Sequence, residues 1–172
     1  FSLDPWVNGN TRLVAPDRLL EGAENFSVAD MYFELSYVGS AHSQGDLVMH
    51  VVDDGVLFSG DLIFEGRVPF VGDANSRHWL ETLQTLETGD LNVLVPGHGP
   101  AVNDPKSALG LTRRYLARLR EVMGAAIENL GDFDTAYAEA DWSEFSHLPA
   151  FRAAHRRNAY QVYLSMEAEA LE

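Results

Sequence analysis

The 172-residue chain contains no cysteine. Disulfides, cysteine nucleophiles and thiolate metal sites are therefore excluded. Basic residues are scarce: 12 Lys and Arg stand against 26 Asp and Glu, for a net charge of −14. Neutralising a phosphate backbone takes clustered Lys and Arg, so no nucleic-acid partner is expected. An anionic membrane surface is disfavoured on the same ground, and no membrane partner is expected. No apolar run approaches the ~20 residues that span a bilayer. Internal repeats and low-complexity tracts are missing. Histidine is sparse, with six in the chain, and no two of them lie two residues apart. What is left is an ordinary globular composition, 46% hydrophobic and 22% charged, at a length that fits one domain.

One stretch organises the rest. Gly39-Ser40-Ala41-His42-Ser43-Gln44-Gly45-Asp46 reads as a loop. Residues 47–52 and 56–59 are short apolar runs around Asp53-Asp54-Gly55, the signature of a hairpin. Ser59-Gly60-Asp61 follows the second run. In an antiparallel pair the points before the first strand and after the second lie at one end. The reading therefore sets His42 beside Asp61 at one rim of a sheet. A third strand, 91–95, runs into Pro96-Gly97-His98-Gly99-Pro100. Its histidine also stands at a glycine-flanked strand end. Imidazole and carboxylate both suit zinc and iron, so His42, Asp61 and His98 form a candidate metal-ligand set. A single loop histidine is more often solvated or structural. Three donors, each at a Gly-rich strand end, shift the balance toward a site.

The rest of the chain frames this rim. Residues 1–12 read as an irregular lead-in with Trp6 packed, and 16–22 as a bend. Strands are expected at 26–28 and 31–38, the second alternating Phe33, Leu35 and Tyr37 with Glu34 and Ser36. Residues 62–72 form an unusually apolar loop beside Asp61, either a pocket wall or a segment packed onto the domain. Asp73 or Asn75 caps a helix to about Glu87, with Trp79, Leu80, Leu83 and Leu86 on one face. Asp104-Pro105 opens a helix that keeps its apolar spacing to Leu130 and stops at Gly131. Its arginines, Arg113, Arg114, Arg118 and Arg120, read as a solvated face paired with acids. Short and long helices follow at 134–140 and 150–170. His50 is mid-strand, His147 and His155 lie far from any strand-end loop, and none of the three is a candidate ligand. His78 reads as a surface or capping residue, and Asp46 as one that orients the His42 loop.

Ala41-His42-Ser43-Gln44-Gly45-Asp46, Phe58-Ser59-Gly60-Asp61 and Val95-Pro96-Gly97-His98-Gly99 resemble the last three metal-binding motifs of the metallo-β-lactamase superfamily. Order, local residues and spacing agree together. The stretch 73–86 is similar to the helix that members place before the Pro-Gly-His-Gly loop. The tail, with Asp141-Trp142-Ser143 and Arg157-Asn158-Ala159-Tyr160-Gln161-Val162-Tyr163, resembles a bacterial branch of zinc metallohydrolases encoded beside sulfur-oxidation or quinoprotein systems. That branch leaves periplasm and cytoplasm both open. The resemblance implies an α+β (α/β) fold, the C-terminal half of an αββα sandwich. It implies hydrolysis of an ester, thioester or amide-type bond in a small molecule by metal-activated water. His42 would bind one metal, His98 a second, and Asp61 both. Zinc is favoured, with iron or manganese as alternatives; cysteine-ligated members are excluded.

The family's leading motif, His-x-His-x-Asp-His, is absent. With a start at Phe1, this leads to the expectation of a chain truncated at its N-terminus. Two protein ligands per metal fall short of the three a catalytic zinc normally has. The chain alone is thus expected to bind metal weakly or not at all and to lack activity. Half a sandwich also leaves an apolar sheet face bare. A second copy of the chain, or a separate N-terminal half, is expected to cover it. Two other readings remain open: an oxygenase-type member with mononuclear iron, and a non-catalytic binding or structural module.

Overall fold

The computed structural model describes residues 4–17, 19, 22–87 and 89–171. Phe1 and part of the expected 16–22 bend fall outside them. Five strands form one sheet in the order β1-β2-β3-β4-β5. These are β1 (Glu24–Val28), β2 (Met31–Gly39), β3 (Asp46–Val51), β4 (Val56–Phe64) and β5 (Val93–His98). The first four pair antiparallel through short turns; β5 pairs parallel with β4. A parallel neighbour needs a crossover connection. Helix α1 (Ser76–Glu87) lies within that crossover.

Cross-strand partners point to the same face of a sheet. Phe26, Phe33, Val51, Val56 and Val93 make one such row, and Leu35, Met49, Phe58 and Val95 the next, with Glu24 at its outer edge. Tyr37 with Leu47 and Val28 with Met31 extend the face. The opposite face differs across its width. Its outer strands carry Asn25, Ser27, Glu34 and Ser36, while its inner strands carry Val48, Leu57 and Leu94, all buried.

The helical layer rests on those inner strands. Helix α2 (Pro105–Glu128) touches β4 and β5 and packs against α1, α3 (Phe133–Glu139) and α4 (Phe151–Glu169). Asp104 caps α2 by accepting from the Ser107 N–H, with Pro105 in the first turn. Leu109, Thr112, Leu116, Leu119 and Met123 recur at helical spacing on its buried side. The arginines pair as expected: Arg113 with Glu87, Arg114 with Glu144 and Arg118 with Glu121. Arg120 is more enclosed and holds Glu169 with two N–H donors. Those bonds, with Arg77 adding a third, hold the Glu169 carboxyl below its usual range.

Three expectations are corrected. Asp61 lies inside β4, not after it, and Leu62, Ile63 and Phe64 continue the strand into the core. The register of β4 against β5 shifts on both sides of Gly60. A break in alternation thus resembles a strand end while the strand goes on. Leu130 follows α2 in a left-handed conformation (φ 55°), which turns its side chain out to solvent. Trp6, at the end of a 3-10 turn (Asp4–Trp6), is 79% exposed and does not pack.

Candidate metal-binding site

Two glycines bring β4 and β5 close enough for their side chains to meet. A Cβ at Gly97 would fall onto the Asp61 carboxylate and come within 2.6 Å of the Gly60 carbonyl carbon. Gly99 has φ +102°, and a Cβ there would stand 2.6 Å from the Glu65 carbonyl oxygen. The Glu65 N–H donates to the His98 carbonyl at 2.8 Å, fastening the end of β5 to the end of β4. His98 Nε2 therefore faces Asp61 Oδ1 at 3.6 Å, with both side chains nearly half exposed.

The His98 ring stacks on Phe64, with centroids 4.8 Å apart and planes 17° off parallel. Phe64 also touches His42, at 5.7 Å, and the edge of Trp79 meets His42 at 5.2 Å. Trp79 is fixed in turn by its indole N–H, which donates to the Leu62 carbonyl. His42 rides on a loop closed by Asp46, whose carboxylate accepts from the Ser43 N–H and hydroxyl. Asp46 Oδ1 also lies 4.0 Å from His42 Nδ1, a buried atom with no hydrogen-bond partner. Ala41 is buried beneath the loop, its carbonyl accepting from the Asn75 N–H.

The three candidate donors thus reach one rim by different degrees. Asp61 and His98 face each other. His42 shares the Phe64 ring with His98 without joining the pair. Among the described residues, no group of three or more His, Asp or Glu is arranged to hold one ion. Phe64 is the residue that sequence reading missed; its apolar neighbours made it look like part of a loop. His78 tethers the chain, with Nε2 2.6 Å from the Val38 carbonyl and Nδ1 near Glu81. His50 lies on a sheet face beside Glu34.

The donors suit a borderline or hard divalent ion, having nitrogen and oxygen and no sulfur. Two ligands ~2.1 Å from one tetrahedral ion stand roughly 3.4 Å apart. The Asp61–His98 separation of 3.6 Å fits that spacing. The pair alone is a fitting half-site.

His155 is buried in the helical layer, stacked on Phe151 and edge-on to Trp142. Its Nδ1 pairs with the Tyr115 hydroxyl at 3.0 Å. Burial pushes its pKa down to about 4 and pushes that of Tyr115 well up.

Comparisons with known proteins agree with this geometry. The family description "Metallo-beta-lactamase superfamily" matches residues 16–98, which include all three candidate donors. Acyl-coenzyme A thioesterase MBLAC2 of Gallus gallus is 27% identical over 90 residues, 49% of this chain and 32% of that protein. A metallo-beta-lactamase from Pontibacter korlensis is 25% identical, with a TM-score of 0.54 over 60% of this chain and 50% of the other. The stereoselective inverting sec-alkylsulfatase Pisa1 from Pseudomonas sp. shares the fold over 89% of this chain, with a TM-score of 0.72 at 19% identity. The chain spans about a third of the length of the thioesterase, half of the Pontibacter protein and 27% of the alkylsulfatase. A sheet backed by helices, with His, Asp and His in the family's order, completes the agreement: over residues 16–98 the chain is similar to the metallo-beta-lactamase superfamily.

Proposed function

We propose that this chain carries part of the ligand set of a metal-dependent hydrolase acting on an ester, thioester or amide-type bond. The observation that carries the reading is the Asp61–His98 pair, half exposed and spaced for a shared cation where the end of β5 meets β4. His98 is oriented by the Phe64 stack, Asp61 by the close approach of Gly97, and His42 by Trp79 and the Asp46-closed loop. A zinc ion bound there would supply Lewis acidity toward a carbonyl and lower the pKa of a water toward neutrality. Iron or manganese would fit the same donors. The thioesterase among the relatives makes a thioester the first bond to try.

Two facing donors and one set apart are too few for a catalytic zinc, which normally has three protein ligands. The remaining donors are proposed to come from polypeptide outside these residues, and the chain alone to be inactive. Isothermal titration of the chain with Zn²⁺ is the test. One weakly bound ion, lost in Asp61→Ala and His98→Ala, is expected. Two ions bound at nanomolar affinity would contradict the incomplete set. A reading frame upstream of Phe1 that encodes His-x-His-x-Asp-His would supply the missing ligands. Metal analysis of a chain carrying that motif would then separate a zinc hydrolase from an iron oxygenase.

The apolar sheet face supports a second proposal, a covering layer. Five strands at ~4.8 Å spacing and ~17 Å of paired length outline roughly 400 Å². That is the size of the largest apolar patch on an ordinary monomer, a patch that often serves as a contact surface. In a solution of this chain alone the occupant is a second copy, packed sheet on sheet. Sedimentation should show a dimer, and a clean monomer would count against it.

A further inference from the structure

The segment after Asp61 runs from the Asp61–His98 pair to the loop of His42. Glu65 is bonded to His98, while Asn75 reaches the His42 loop, its N–H donating to the Ala41 carbonyl. Between these ends, residues 68–71 leave the sheet and lie against the start of α4. The Val68 N–H donates to the Pro149 carbonyl. Asn158 grips the next turn from both sides: its Nδ2 donates to the Pro69 carbonyl at 2.7 Å, and its Oδ1 accepts from the Val71 N–H at 3.0 Å. Arg157 covers the Phe70 ring at 5.5 Å. Asn158 is fully buried and gives its second N–H to the Tyr115 hydroxyl at 3.0 Å, which continues to His155.

We infer that Asn158 is a positioning residue for the candidate metal site. By fixing the midpoint of the 62–75 segment, it sets the gap between the loop of His42 and the Asp61–His98 pair. A buried amide with three partners is well suited to this, because losing one leaves a polar group unpaired and shifts the segment. A helix in the last fifth of the chain thereby governs a rim built by residues 42–98. The inference deepens the metal-site reading and rests on it only where a metal is used as the probe.

The test compares Asn158→Leu with Leu119→Ala, a core truncation on α2, matched by thermal denaturation. Imidazole ¹H–¹⁵N correlations report the surroundings of each ring without any metal. Asn158→Leu should move the His42 and His98 correlations and leave His50 in place, while Leu119→Ala moves neither His42 nor His98. Arg157→Ala and Asn158→Ser, milder changes at the same contact, should move His42 and His98 less and in the same direction. They carry the test if Asn158→Leu does not fold. Zn²⁺ titration should show about tenfold weaker binding for Asn158→Leu, the lower end for residues that support ligands. If the unaltered chain binds no zinc, as an incomplete ligand set allows, the imidazole correlations alone decide the inference. Stationary His42 and His98 correlations in the Asn158 variants, or equal movement in Leu119→Ala, would overturn the inference.

Discussion

The two faces of the sheet are made by alternate residues of the same strands and have opposite fates. One is apolar from β1 to β5 and carries half-exposed Tyr37, Leu47 and Phe58. The other is polar on its outer strands and apolar only where helices cover it, at Val48, Leu57 and Leu94. A solvated sheet normally shows its polar side to water. Here the covered face is tuned to the helices that sit on it, and the bare face is tuned to something broader. The difference teaches that the helical layer accounts for only part of the apolar patterning in these strands.

Substitutions on each side should break the symmetry in different ways. The largest effect is expected on the covered side. Trp79→Ala removes a fully buried ring and its hydrogen bond to Leu62, and should cost about 3–5 kcal/mol in urea denaturation.

Next comes acid sensitivity of the layer behind that face. His155 is neutral in the fold, with a pKa of about 4 against 6.5 when unfolded. The unfolded chain takes up a proton first, so this contribution is complete above pH 6.5 and is lost as the pH falls toward 4. The loss amounts to about 3 kcal/mol. The neighbouring titratable groups, Tyr115 and Tyr137, do not ionise in that window. Denaturation at pH 7 and pH 4.5 should show a steeper fall for the natural chain than for His155→Phe.

On the bare face, Leu47→Lys with Phe58→Lys should change folding stability by about 1 kcal/mol or less, since both positions are already wet. The same pair should convert a sedimenting dimer to monomer. A large loss of stability without a change in mass would show that the face is core, and end the comparison. The smallest effect belongs to the outer surface of the helices. Arg113→Ala, which breaks a solvated pair with Glu87, should cost about 0.5 kcal/mol or less and vanish in high salt.

Much of this was legible in the residues. Alternation at Phe33, Leu35 and Tyr37 marks β2, and Asp104-Pro105 marks the start of α2, because both signals are local. The glycine-flanked end that carries His98 was legible for the same reason. The passage of β4 through Asp61 to Phe64 was not, because it depends on pairing with β5 more than thirty residues later. Phe64 between two imidazoles and Asn158 at Pro69 and Val71 were equally hidden. Neither has a local pattern, and each acquires its place only from a partner distant in sequence.

The absent side chain at position 97 has a practical consequence. A single methyl there, Gly97→Ala, would meet both the Asp61 carboxylate and the backbone of Gly60 and Asp61, and so would force β4 and β5 apart at the donor pair while keeping every donor group. Most ligand mutants confound removing a group with moving it. This position instead ties donor spacing to strand spacing, so that cation capture there would report how closely the two strands approach.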